Sequence, residues 1–181
     1  MAIRDIVLFP DPVLQTCCEP VEEVTDDIRQ LVDDMVETMY DAPGIGLAAP
    51  QIGISKRITV IDTTAGEEEG NLHVLINPKI VEAEGHITWE EGCLSIPGVY
   101  EKVDRAHQVT VRALDRNGDP YELEAEEILA VAIQHEIDHL DGVLFLEHLS
   151  GLKRRLLIKK YKKHLKKMAR AEEEKEDTPK L

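Results

Sequence analysis

The chain has 181 residues, 43% hydrophobic and 31% charged, with 36 acidic against 21 basic side chains and a formal net charge of -15. A chain of this length and composition folds as one domain with a sizeable core, which excludes a disordered polyelectrolyte and a disulfide-stapled mini-scaffold. Its acidity opposes attraction to nucleic acid or an anionic membrane, unless the charges are segregated along the chain.

The opening MAIRDIVLFPDP meets Asp5 and Pro10 before any apolar run reaches signal-peptide length, and no stretch approaches the ~18 residues of a membrane span. A cytoplasmic protein with no membrane partner is expected. Cys17, Cys18 and Cys93 cannot form a paired framework, which fits a reducing compartment. Thr25 reads as an N-cap, and Ile28, Leu31, Val32, Met35 and Met39 follow at helical spacing until Pro43 and Gly44 stop the helix. The period then shortens. Ile58 to Ile61, Val74 to Ile76, Ile80 to Val81 and Val109 to Leu114 are short β-branched runs separated by Gly, Pro and Asn. Gln108 to Leu114, the Asn117-Gly118 turn and Tyr121 to Ala125 predict a hairpin.

From about Glu126 the helical pattern returns. Ile128, Val131, Ala132, Ile133, Ile137 and Leu140 cover most of a helix circumference, so this helix is expected to be central and buried. A last helix is expected from near Ser150 to about Arg170. Strands precede the later helices without βαβ alternation, so the expected class is α+β: one compact domain of short, mostly antiparallel strands around a buried helix, plus a C-terminal helix. Residues 1–150 form the body, 151–171 a basic amphipathic helix, and 172–181 an acidic end expected to fray.

The central helix carries His135-Glu136-Ile137-Asp138-His139. Histidines four apart project from one helix face within reach of a single ion, and Glu136 lies beside the position of a reactive water. The same pair also suits two hydrogen-bonded core histidines. A catalytic site needs a third protein ligand. Neither the Glu nor the extended-His pattern of the better-known HExxH enzymes follows His139. Cys93, in Glu91-Gly92-Cys93-Leu94-Ser95, is the other candidate, although an isolated Cys is more usually a small buried hydrophobe. A third segment, Gly44-Ile45-Gly46-Leu47-Ala48-Ala49-Pro50-Gln51, combines glycines suited to close backbone approach with a neutral donor amide.

Taken together, GIGLAAPQ, EGCLS and QHEIDHL occur in an order that closely resembles the peptide deformylase family, type 1 bacterial form, which removes the formyl group from N-terminal formyl-methionine of new proteins. The resemblance runs from Asp11-Pro12-Val13-Leu14 to the final helix. It implies metal ligands at Cys93, His135 and His139, a catalytic carboxylate at Glu136, and oxyanion donors in the Gln51 amide and the Leu94 backbone N–H. The implied cofactor is one divalent ion, Fe2+ in the native enzyme, with Zn2+, Ni2+ or Co2+ as substitutes. The implied substrates are N-formylmethionyl nascent peptides, paired in an extended form with backbone at Ile45 and Gly46. Ile128, Val131 and Ala132 either line an apolar methionine pocket or pack as plain core. Asp138 either orients a neighbouring group or is a solvated helix residue. Glu91 and Arg105 either pair beneath the Cys93 loop or form an exposed ion pair of little value.

Two alternatives remain from the residues alone: an HExxH zinc metallopeptidase, which leaves Cys93 unexplained, and a ribosome-binding factor with a structural metal, which lacks a fourth ligand. The charge is indeed segregated. Residues 1–151 hold 31 acids and 9 bases, residues 152–171 hold 10 bases and no acid, and the remainder holds 5 acids and 2 bases. Leu157, Tyr161, Leu165 and Met168 form one stripe of the last helix, and Lys159, Lys160, Lys163, Lys166 and Lys167 the other. This is either a solvated face or, as the family favours, a docking helix for ribosomal RNA.

Overall fold

Thr25 starts the first helix as expected, its hydroxyl accepting from the Ile28 N–H at 3.4 Å. The helix, α1, runs Asp26–Asp41 in the computed structural model, which describes residues 2–68 and 70–176. Seven strands follow in two sheets: β1 Gly46–Ala48, β2 Ile58–Ile61, β3 His73–Glu84, β4 Ile87–Cys93, β5 Ile96–Arg105, β6 Gln108–Leu114 and β7 Pro120–Glu126. Then come α2 Glu127–Leu140, which carries the HExxH residues, and α3 Gly151–Glu176.

The larger sheet has the order β1-β2-β3-β6-β7, and all its pairings are antiparallel. Alternation along its strands builds two apolar faces. One face presents Leu47, Ile58, Val60 and Ile76 to Leu31, Val32, Met35 and Met39 of α1. The other presents Ile61, Leu75, Val109 and Val111 to Ala130, Ile133 and Ile137 of α2. The α+β class and the buried central helix are therefore as the sequence predicts. Gln134 locks the inner helix in place by pairing with both backbone groups of Ala106, at 3.0 and 2.9 Å.

Two strand expectations change. Val74–Ile76 and Ile80–Val81 belong to one strand, β3, because Asn77 and Pro78 make an irregularity in the ladder and do not end it. Asn77 adopts φ 51°, which its short polar side chain tolerates, and its amide pairs with both backbone groups of Val21 at 2.8 Å. The second difference is the separate β4–β5 hairpin, which holds EGCLS at its turn and which the periodicity does not show. It packs through Ile96, Val99 and Val103 onto Leu14, Phe145 and α3.

The C-terminal helix continues to Glu176, beyond the expected end near Arg170, and so includes the start of the expected tail. Residues 177–181 lie outside the described residues. Leu157 and Tyr161 are buried in the β5 cluster and Leu165 packs partly buried against it, whereas Met168 is exposed, so the apolar stripe is covered except at its last residue. No described helix is long and apolar enough to cross a membrane.

Candidate metal centre and active site

Helical spacing places His135 and His139 on one face of α2, with ring centroids 5.0 Å apart. The β4–β5 turn brings Cys93 to the same point, with Sγ 3.2 Å from His139 Nε2. One ligand atom from each of Cys93, His135 and His139 lies within 4.8 Å of the others, and among the described residues this is the one such group. Bonds of roughly 2.3 Å to sulfur and 2.0 Å to nitrogen set ligands on one tetrahedral ion about 3.5 Å apart, so the set fits a divalent metal. Its single thiolate and two imidazoles are donors that such ions accept.

Charge within the site agrees with a cation there. Desolvation opposes charge on His135, but its hydrogen bonding to Cys93 and Glu91 outweighs this and holds its pKa above the ordinary value. His139 is pushed the other way, by burial first and then by the positive charges of His135 and Arg105. Two imidazoles buried this close together thus cannot both carry the positive charge that the Glu91 carboxylate attracts.

The support for His135 is explicit. Its Nδ1 donates to Glu91 Oε2 at 2.8 Å, which leaves Nε2 for the ligand position. Arg105 grips both Glu91 oxygens, Nε at 2.7 Å and Nη2 at 3.0 Å, with both side chains 4% exposed. The buried-pair reading of Glu91 and Arg105 therefore replaces the exposed one. Burial alone would raise the Glu91 pKa, but the hydrogen bonds from Arg105 and His135 hold it at about 2.

Glu136 and Gln51 line the same cleft as the group. The Glu136 carboxyl is buried, and desolvation, reinforced by Glu91 and Asp138 and opposed by His135 and Arg105, pushes its pKa up to about 7. Its Oε2 has no hydrogen-bond partner, nor does His139 Nδ1. Gln51 accepts from the Ala48 N–H through Oε1 at 2.8 Å. That donor fixes the amide orientation, so Nε2 points to Cys93 Sγ at 3.6 Å and Ser95 Oγ at 3.3 Å. Leu94 occupies the turn beside Cys93.

Two glycines let the three motifs meet. A Cβ on Gly46 would lie 2.5 Å from Glu136 Oε1, and one on Gly44 would lie 2.8 Å from the Leu94 side chain. Gly46→Ala must therefore displace the Glu136 carboxylate. A misplacement of that order is expected to lower kcat by about 10²-fold without unfolding the domain. Formate release and a thermal melt on the same preparation check both halves of that statement.

A cleft of about 410 Å³ runs past this group. Ile45, Gly46, Gln51, Cys93, Leu94, Ile128, Val131, Ala132, His135 and Glu136 all line it, so these candidate residues come together. The five candidate lysines of α3 lie elsewhere and are exposed. The sequence pattern does not single out Trp89 and Tyr100, exposed aromatics on the hairpin wall of the cleft. Tyr100 crosses Gly92, where a Cβ would stand 2.5 Å from the ring. The only signal for either is a lone aromatic near EGCLS.

A family model for polypeptide deformylase matches residues 3–155. A peptide deformylase of Hydrogenovibrio crunogenus is 55% identical over 165 residues, covering 91% of this chain and 96% of its own length. The crystal structure of a peptide deformylase from Legionella pneumophila matches with a TM-score of 0.89 at 48% identity, over 93% of this chain and 99% of that one. A peptide deformylase from Ehrlichia chaffeensis in complex with actinonin matches with a TM-score of 0.84 at 43% identity, over 91% and 98% of the two chains. Identity at this level over this length sets aside the metallopeptidase alternative. With its Cys-His-His group at the cleft, the chain belongs to the peptide deformylase family, metal-dependent hydrolases that remove N-terminal formyl groups.

Proposed function

We propose that this chain deformylates the N-terminal formyl-methionine of nascent polypeptides in the cytoplasm, releasing formate and a free methionyl amine. The observation that carries the reading is the buried, partnerless Glu136 Oε2 in the cleft wall beside Cys93, His135 and His139. Cys93, His135 and His139 would hold the divalent ion, which when bound would supply Lewis acidity to a water and to a carbonyl oxygen. Glu136 takes the proton of the attacking water and delivers it to the departing amine nitrogen. The Gln51 amide and the Leu94 backbone N–H meet the oxyanion that forms on the formyl oxygen.

Recognition of the peptide follows from the sheet. β1 is an outer strand, paired only with β2 in its sheet. The Ile45 carbonyl accepts from the Asp62 N–H at 2.9 Å, so alternation turns the backbone groups of Gly46 toward the free edge and the cleft. An extended peptide adds there as a further strand, and the pocket lined by Ile128, Val131 and Ala132 takes the methionine side chain. Formate release from formyl-Met-Ala-Ser, with no cleavage of a blocked internal peptide, tests the reading; internal cleavage without formate would overturn it.

Ferrous iron is the native ion in this reading, with zinc, nickel or cobalt able to replace it, since metal supply outweighs affinity for such a donor set. The Cys93 thiolate leaves an iron form open to oxidation at both metal and sulfur. Exposure to air is therefore expected to inactivate the iron form while the nickel form keeps its activity, and equal lifetimes in a timed assay would contradict this.

The basic face of α3 is the docking surface for ribosomal RNA. Deleting the helix is a poor test, because Leu157 and Tyr161 belong to the β5 core cluster. Replacing Lys159, Lys160, Lys163, Lys166 and Lys167 with Gln removes charge and leaves that cluster intact. The variant is expected to sediment less with ribosomes and to show a shallower salt dependence, by about one unit of log–log slope for each phosphate that is no longer neutralised. Unchanged co-sedimentation across a salt series would remove the docking role.

A further inference from the structure

Arg105 has an arm that neither Glu91 nor the cleft uses. Its Nη1 donates to Asp138 Oδ2 at 2.6 Å, and His148 Nε2 reaches the same oxygen at 2.7 Å. The two nitrogens stand 3.3 Å apart. Since a guanidinium cannot accept, this is two donors sharing one acceptor, with the His148 proton on Nε2. Asp138 lies on α2 one turn beyond His135, and with His148 it faces a different recess from the substrate cleft. A continuous line therefore runs from His148, with a side chain 35% exposed, through Asp138, Arg105 and Glu91 to His135.

We infer that Asp138, braced by His148, is a positioning residue for the metal centre: it fixes the rotation of Arg105, which sets Glu91, which holds the His135 ring with Nε2 on the ion. This rests on the reading of Cys93, His135 and His139 as the ligands. The physical argument is geometric. A guanidinium gripped only by Glu91 keeps freedom to swing with that carboxylate about their common axis. A third, charged contact at 2.6 Å from a different element removes that freedom. Glu91 has both oxygens committed to Arg105, so any swing passes directly to the His135 hydrogen bond. Groups that orient a ligand histidine from outside typically alter metal affinity by about 10–100-fold. An ion pair that only stabilises the fold would change melting temperature and leave metal retention alone.

The experiment uses the full chain loaded with Co2+, whose visible absorption reports the ligand field. Loss of the ion to an excess of chelator is timed for Asp138→Asn, His148→Leu, His148→Gln and a control, Asp33→Asn, which weakens the surface pair to Arg116. Asp138→Asn is expected to release Co2+ about 10-fold faster with an altered spectrum. His148→Leu is expected to do so by a smaller factor. His148→Gln, whose amide N–H can donate to the same oxygen, should restore retention, and Asp33→Asn should match the parent. Parent-like retention and spectra in both Asp138→Asn and His148→Leu would overturn the inference, whatever their melting temperatures. The readout is metal loss, so a parent protein that holds Co2+ but releases no formate would refute the deformylation reading and not this one.

Discussion

Replacing Glu136 with Gln is expected to lower turnover of a formyl-methionyl peptide by about 10²–10⁴-fold while the protein keeps its metal. The substitution preserves shape and removes only the ability to take and return a proton. The geometry explains why nothing else can substitute. Glu136 is the buried carboxylate in the cleft wall with a partnerless oxygen, whereas Glu91 has both oxygens committed to Arg105 and His135. Gly46, which touches the Glu136 carboxylate, leaves it room to stand where it does. Steady-state formate release and metal content measured on one preparation check the prediction. Parent-like turnover would show that the proton moves by another route.

Gln51→Ala is expected to cost about 10²–10³-fold in turnover, the usual penalty for removing a single oxyanion donor. The amide is oriented before substrate arrives, by the Ala48 N–H on Oε1 and by contacts of Nε2 to Ser95 Oγ and Cys93 Sγ. Its side chain therefore keeps its orientation, and the oxyanion takes over one N–H from these long contacts. The loss should fall mainly on kcat, because the contact forms with charge that develops only in the transition state. A variant whose KM rises while kcat is unchanged would instead assign Gln51 to ground-state binding. The Leu94 N–H, the second donor of the proposed mechanism, is not removed by a side-chain substitution.

Those parts of the fold that repeat a clear period are legible in the sequence. The N-cap Thr25, the apolar spacing of α1 and α2, and the Asn117-Gly118 hairpin all rest on local chemistry that tertiary contacts do not override. The β4–β5 hairpin is not legible, although it carries Cys93. Thr88, Trp89 and Glu90 of β4 are consecutively exposed, and Pro97-Gly98 reads as a turn although β5 runs through it, so the pair shows no clear strand period in the sequence. β3 reads as two strands because Asn77-Pro78 looks like a stop, and only the long-range pairing of Asn77 with Val21 shows why the strand continues.

At the site, the ligand types are readable because His135 and His139 share a helix turn. That Cys93 joins them depends on family resemblance, since 42 residues separate it from His135 and no local period spans that gap. The burial of Glu91 with Arg105, and the reach of His148 to Asp138, are decided by how β4, β5 and the segment after α2 pack. Side chains that meet in this way leave no mark on hydrophobic periodicity. The placement of Trp89 and Tyr100 along the cleft belongs to the same class.

The central claim is that Cys93, His135 and His139 hold the ion that makes Glu136 and Gln51 a deformylase. Formate release from formyl-Met-Ala-Ser by protein prepared and loaded with Fe2+ without oxygen, beside Cys93→Ala treated identically, tests it most directly. The parent is expected to release formate, and the variant to bind little iron and release none above background. Equal formate release by the two proteins would contradict the account.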